Sequence, residues 1–261
     1  MGASVKLAAQ VRMAPGTSIA SRMECLAEAG FEAVELHTDA LEELDDYRTA
    51  LRSVGIPALS MCPAGTDFDL VRDAFSQQRR IENTRAALDA CNDLGIKALI
   101  SVALRGSLPP GMTASDEIDS YVQALDQLAP HAEAAGVTIV VEPLNRYETH
   151  LVNTVGNGVS IAERVGSTAV KVLADIFHMS IEEDDLSKTI LAASGWIGHV
   201  HLADNQRAQP GTGMVDFPTV FAALREIGYE GSMSLECRLR GDPIAALHQT
   251  AKYLRAARVS G

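Results

Sequence analysis

The sequence is poor in the features that mark several protein classes. It has four cysteines in 261 residues (Cys25, Cys62, Cys91 and Cys237), none close to another and none in a CxxC pair. That argues against a zinc ribbon, a CxxC redox site or a disulfide framework, and fits buried thiols in a reducing compartment. Basic residues are few: 22 Lys and Arg stand against 34 Asp and Glu, a net charge of −12. A surface of that sign repels phosphate backbones and gains nothing from anionic lipid, so neither nucleic acid nor a membrane is expected as a partner. No apolar run reaches the ~18 residues that span a bilayer. The N-terminal MGASVKLAAQVRMAPG has one short apolar stretch, broken by Arg12, and does not read as a signal peptide. Lys6 stands where a myristoylation motif has Ser or Thr. A cytoplasmic location is expected. Phosphate loops are missing too: GNGVSI at 156–161 lacks the third glycine of GxGxxG, and PGTG at 210–213 lacks the lysine of a P-loop. No linker, charge run or low-complexity segment divides the chain, so one domain over 1–261 is expected.

What the sequence has is a repeat. An apolar-striped run, a glycine and a β-rich run recur in EAG-FEAVEL, SVG-IPALSM, DLG-IKALISV, AAG-VTIVVE, RVG-STAVKVLAD, ASG-WIGHVHL and EIG-YEGSMSLE. Glycine ends a helix well because it takes the left-handed conformation without a Cβ clash. With VKLAAQV at the start, eight strands result, each followed by a helical stretch: 17–29, 40–54, 73–94, 114–135, 155–165, 184–194, 216–227 and 242–258. Asp216 before Phe217-Pro218, and Asp242 before Pro243, read as N-caps. Pro130 predicts a break or kink in the fourth helix, and GNG at 156–158 a late start to the fifth. Eight units of about 33 residues suit a (β/α)8 TIM barrel, of the α/β class. An open doubly wound sheet would want a phosphate loop after an early strand.

Barrel chemistry sits at the C-terminal ends of the strands. Four consecutive strands end in ionisable residues: Glu142, Asp175, His201 and Glu236. A carboxylate at a strand end is often only a helix cap. Four on neighbouring strands about 4.8 Å apart converge. Three carboxylates and an imidazole at one point repel unless a cation lies among them. The set suits Mn2+, Mg2+ or Co2+ better than structural zinc. Glu148, His178 and Arg207 lie three to six residues beyond these ends, with His178 expected on a loop. His199 shares the inward parity of His201 and reads as a core or supporting group, and Trp196 as packing. Phe177 and Met179 are candidates for a pocket wall.

At EPLNRYETHLVNT (142–154), DIFHMSIEE (175–183), HVHLADNQRAQPGTGMVDF (199–217) and GSMSLE (231–236), the sequence resembles the xylose isomerase-like TIM barrels of the sugar isomerase/epimerase type. It is most like the ketose 3-epimerases of the D-tagatose and D-psicose (allulose) type. The likeness is strong over the second half; the first half shares only the repeat. It implies one divalent ion, Mn2+ foremost, held by Glu142, Asp175, His201 and Glu236. It implies Glu142 and Glu236 as the acid/base pair, and Glu148, His178 and Arg207 as binders of the O1/O2 end of a sugar. A homo-oligomer, dimer or tetramer, is implied as well. Ile176 and Ser180 depart from the Thr and Asn expected beside His178.

The chemistry expected is proton abstraction next to a carbonyl through an enediolate, by an epimerase or an aldose–ketose isomerase. A lyase or dehydratase on a keto sugar, keto polyol or 3-keto glycoside is the alternative. A DNA-repair endonuclease of the same fold would need a His-rich zinc site and a basic groove; seven histidines and a charge of −12 argue against it. A non-catalytic sugar sensor would not need both carboxylates of the acid/base pair. No phosphate loop favours a free sugar.

Overall fold

All seven glycines of the repeat (Gly30, Gly55, Gly95, Gly136, Gly166, Gly195 and Gly228) take a positive φ, and each lies between a helix and the next strand. The repeat is therefore a backbone device. The computed structural model describes residues 5–72, 74–106 and 112–260. Its strands are β1 Leu7–Gln10, β2 Ala33–His37, β3 Ala58–Cys62, β4 Ala98–Ser101, β5 Thr138–Val141, β6 Val170–Asp175, β7 Ile197–Leu202 and β8 Met233–Leu235. They pair in parallel and in chain order, and β8 closes on β1. This is the (β/α)8 barrel the repeat predicts.

The helices are α1 Ile19–Ala29, α2 Leu44–Val54, α3 Ala74–Leu94, α4 Ala114–Ala135, α5 Val155–Val165, α6 Ile176–Glu182, α7 Leu186–Ala192, α8 Phe217–Glu226 and α9 Pro243–Ser260. Three details differ from expectation. The 40–54 stretch begins as a 3-10 turn over Thr38–Glu43, and only then becomes α2. The helix α4 runs through Pro130 without a break. Proline removes one N–H from the ladder, while the capping box of Thr113 and Asp116, Gly136, and the buried face of Tyr121, Leu125, Leu128 and Ala132 hold the rest. The glycines of GNG do not delay α5, because Thr154 and Asn157 form a capping box around them. Gly158 is there for space: a Cβ would stand 2.9 Å from Val172 Cγ1 on β6. Asp216 and Asp242 do cap α8 and α9, accepting from Thr219 N at 3.3 Å and Ala245 N at 2.9 Å.

The main apolar core lies between strands and helices, with Leu7, Leu36, Met61, Ile139, Phe217 and Leu254 among its members. Trp196 packs against it. The barrel's interior is in part polar. Ser60 on β3 meets Ser234 on β8 at 3.3 Å, and Glu35 on β2 meets His199 on β7 at 2.9 Å; these strands are not neighbours, so both contacts cross the interior. No helix among the described residues is long and apolar enough to cross a membrane.

Candidate active site

Parallel strands in one register bring their last residues to one level, and here that level is ionisable. Asp175 closes β6 and pairs in register with His201 on β7. Glu142 and Glu236 follow β5 and β8 and extend the pairing, Glu142 N donating to Ser101 O and Glu236 N to Leu202 O. The four side chains converge: one donor atom from each lies within 4.8 Å of the others. His201 Nδ1 stands 3.5 Å from Glu142 Oε1, 3.6 Å from Asp175 Oδ2 and 3.0 Å from Glu236 Oε2. Asp175 also caps α6, its Oδ1 accepting from His178 N at 3.0 Å. Capping and convergence thus fall to different oxygens of one carboxylate.

Burial alone would push these carboxyls up. The adjacent His178 imidazole and the contacts of His201 hold Asp175 below the usual range, and His201 with Arg207 holds Glu236 at about 2. Asp175 Oδ2, His201 Nδ1 and Glu236 Oε2 are buried and make no hydrogen bond among the described residues, although Glu236 Oε2 is ion-paired with Arg207. Three orphaned donor atoms facing one another are costly unless something accepts their lone pairs. A divalent cation among them does so, and three carboxylates with one imidazole fit Mn2+, Mg2+ or Co2+.

Behind the cluster lies a carboxylate that the strand-end argument missed. Glu35, fully buried on β2, accepts from His201 Nε2 at 3.2 Å, His199 Nε2 at 2.9 Å, Ser60 Oγ at 2.6 Å and Gln10 Nε2 at 2.8 Å. Its signal in the sequence is an ionisable residue in the middle of the apolar run AVELH. Bonded to Glu35 through Nε2, His201 turns Nδ1 toward the three carboxylates. Glu35, His199 and His201 also lie close enough to form a second ligand group. Their contacts are already hydrogen bonds that use Nε2 of both histidines.

His178 is not on a loop; it sits in the first turn of α6, directly after β6. Asn145 fixes it, with N at 3.1 Å and Nδ2 at 2.8 Å from Nδ1. A backbone N–H on Nδ1 assigns the neutral imidazole's proton to Nε2. That nitrogen lies 3.1 Å from Arg207 Nη1, so two donors abut. An oxygen between them would accept from both. Arg207 also places Nη2 2.9 Å from Glu236 Oε2 and rests over Phe177, 4.9 Å from the ring centre. Glu148 accepts from Asn145 Nδ2 at 3.0 Å. Met179 is buried in the core, away from the cavity. Ile176 is buried as well, and Ser180 Oγ donates to Phe177 O.

A cavity of about 260 Å³ opens over the cluster, and Glu142, Glu148, His178, Arg207 and Glu236 all line it. Its other wall comes from the first half of the barrel: Arg12, Cys62, Pro63, Gly65, Thr66 and Arg105. The sequence did not single these out, since loops of that half carry no motif. Arg105 is held by the buried Asp69, 2.7 Å away.

The sequence profile of the xylose isomerase-like TIM barrel matches residues 23–257. The chain belongs to that family. It is 30% identical over 251 residues to the 3-dehydro-D-guloside 4-epimerase of Escherichia coli K12, covering 91% of this chain and 94% of the relative. It is 32% identical over 214 residues to the L-ribulose 3-epimerase of Mesorhizobium japonicum, covering 80% and 72%. Among solved structures it superposes on the apo 3-keto-D-glucoside 4-epimerase from E. coli with a TM-score of 0.90, at 27% identity, over 97% of this chain and 100% of that one.

Proposed function

We propose that this carbohydrate epimerase is divalent-metal-dependent, ketose 3-epimerase-like, and works by moving a proton on the carbon beside a carbonyl. The observation that carries the reading is the convergence of Glu142, Asp175, His201 and Glu236, with three buried donor atoms that make no hydrogen bond among the described residues. Those four would hold the ion, Mn2+ in first place. When bound, it supplies electrophilic stabilisation to the carbonyl and adjacent hydroxyl oxygens as negative charge develops there.

The chain's own residues account for the rest. Glu142 and Glu236 come from the outer strands of the four-strand arc, so they can reach a carbon between them from opposite sides. One removes the proton and the other returns one to the opposite face, which inverts the centre. His178 Nε2–H and Arg207 donate to the oxygen on which charge grows, and Glu148 accepts from a neighbouring hydroxyl. Each arginine of the cavity already faces a carboxylate: Arg12 with Glu236 at 3.7 Å, Arg105 with Asp69 and Arg207 with Glu236. Among the described residues, no arginine lining the cavity lacks a facing carboxylate, which supports a free sugar as substrate. The relatives named above are 3- and 4-epimerases, and the family resemblance favours carbon 3. The reading also takes the enzyme as cytoplasmic and homo-oligomeric, to be checked by fractionation and light scattering.

The test is a screen of free ketoses, ketose phosphates and 3-keto glycosides with Mn2+, followed by mass detection. An isomer of unchanged mass is expected; loss of water or of an aglycone would make the enzyme a lyase. Exhaustive chelation should abolish turnover, and Mn2+ or Co2+ should restore it. Full activity in a demonstrably metal-free sample would overturn the ligand assignment.

A further inference from the structure

The connection from β7 to α8 carries Arg207, the one non-glycine residue with a positive φ (52°) among those described. An arginine in that region is strained, and something must hold it there. The turn is closed by backbone bonds from both ends of Asp204: Asp204 N donates to Ala208 O at 2.9 Å, and Arg207 N donates to Asp204 O at 2.8 Å. Arg238 N, just past Glu236, donates to Arg207 O at 2.6 Å.

The side chain of Asp204 is fully buried and touches neither the four-residue cluster nor the cavity. Its Oδ1 accepts from Asn205 N at 2.9 Å and Val215 N at 3.1 Å. Its Oδ2 accepts from Gly211 N at 3.0 Å and Gly213 N at 2.9 Å. Four backbone N–H groups thus depend on one carboxylate, two on each oxygen. Asparagine cannot replace it, because its NH2 would face two N–H donors. Gly213 leaves room for this contact: a Cβ would stand 2.2 Å from Asp204 Oδ1.

We infer that Asp204 is the positioning residue of Arg207. Its carboxylate straps the returning limb, 211–215, onto the turn at 204–208 and so keeps the guanidinium beside Glu236 and His178. The inference rests on the proposed function only for what Arg207 does in turnover. Its placement of Arg207 is a matter of structure alone.

The experiment compares Asp204→Asn, Arg207→Ala and the double variant, each with Mn2+ and with metal content measured. D-tagatose is the first probe, replaced by whichever ketose the screen turns over. Asp204→Asn should lower kcat by a factor close to that of Arg207→Ala, with a smaller change in KM and metal content unchanged. In the Arg207→Ala background it should cost little more, because the group it positions is already gone. Losses that multiply, or an unchanged kcat, would overturn the inference. A second readout needs no turnover: the 15N signal of the Arg207 Nε–H should shift or broaden in Asp204→Asn. If that signal responds while no sugar is turned over, the epimerase reading fails and the positioning stands. An unmoved signal overturns the positioning. Should Asp204→Asn fail to fold, Gly213→Ala presses on the same carboxylate and should show the same signal change and the same non-additivity; an unmoved signal there overturns the inference equally.

Discussion

Glu35→Gln perturbs the candidate metal site without touching a ligand. In the native protein Glu35 Oε2 accepts from both His201 Nε2 and His199 Nε2, and Oε1 accepts from Gln10. Glutamine can keep the shape if its amide nitrogen takes the Oε1 place and Gln10 turns over. Arg12 Nε then loses the Gln10 oxygen it now reaches at 3.3 Å. The main loss is charge. A hydrogen bond to an ionised acceptor is roughly twice as strong as one to a neutral acceptor, so the His201 contact weakens by about 1–2 kcal/mol. Because that contact orients Nδ1, the loss should appear in metal affinity as roughly a 10-fold weakening, with about 100-fold as the upper end for such partners. The assay is competition for Mn2+ against a chromophoric chelator, with a thermal melt to show that the variant is folded. Affinity within about 3-fold of the wild type, well below the usual cost of removing such a partner, would refute the claim that Glu35 orients the ligand.

Three further outcomes follow from the site. Glu142→Gln and Glu236→Gln should each abolish net epimerisation; each loaded variant should retain slow exchange of the reacting hydrogen with D2O for one epimer only, opposite in the two. If both variants, with metal occupancy verified, exchange the same epimer, a one-base mechanism replaces the two-base one. Arg207→Ala should lower kcat/KM by about 3 kcal/mol, the scale of an oxyanion donor, at unchanged metal content; an unaltered rate would mean that the guanidinium does not meet the substrate. Burial pushes the Cys91 and Cys237 thiols up to about 12, and burial with the nearby glutamates raises Cys62 well above its ordinary value, so all three stay protonated at pH 8. Iodoacetamide should label Cys25 first, and the others only as pH approaches 12; peptide mass spectrometry showing Cys237 labelled as fast as Cys25 at pH 8 would contradict this.

The barrel was legible because each unit announces its own boundary: seven glycines with positive φ separate helices from strands, a local signal needing no knowledge of the rest of the chain. The four converging residues were legible for a related reason, since parallel strands in register turn strand ends into neighbours. Glu35 was missed because its meaning depends on His199 and His201, about 165 residues away in sequence, which reach it only across the barrel interior. The helix α6 is hidden in the sequence because Asp175 is both the end of β6 and a cap that opens a helix at once. Pro130 misled in the other direction: the local rule predicts a break, and packing over α4 outweighed it. The wall residues Arg12, Thr66 and Arg105 sit in connections without periodicity, and only their shared cavity relates them.

The converging side chains all come from the ends of β5 to β8, whereas the opposite wall is furnished by the end of β3 and the connections after β1, β3 and β4. Under the proposed function, the proton-moving groups come from one half of the closed sheet, and the first half adds a wall that carries none of the four converging residues. A half-barrel of this kind can be recombined: grafting a relative's β1, β3 and β4 connections leaves the proton-transfer apparatus, its buried Glu35 and the strap around Arg207 in place. A library confined to those loops would then be expected to change the choice of sugar and not the reaction performed.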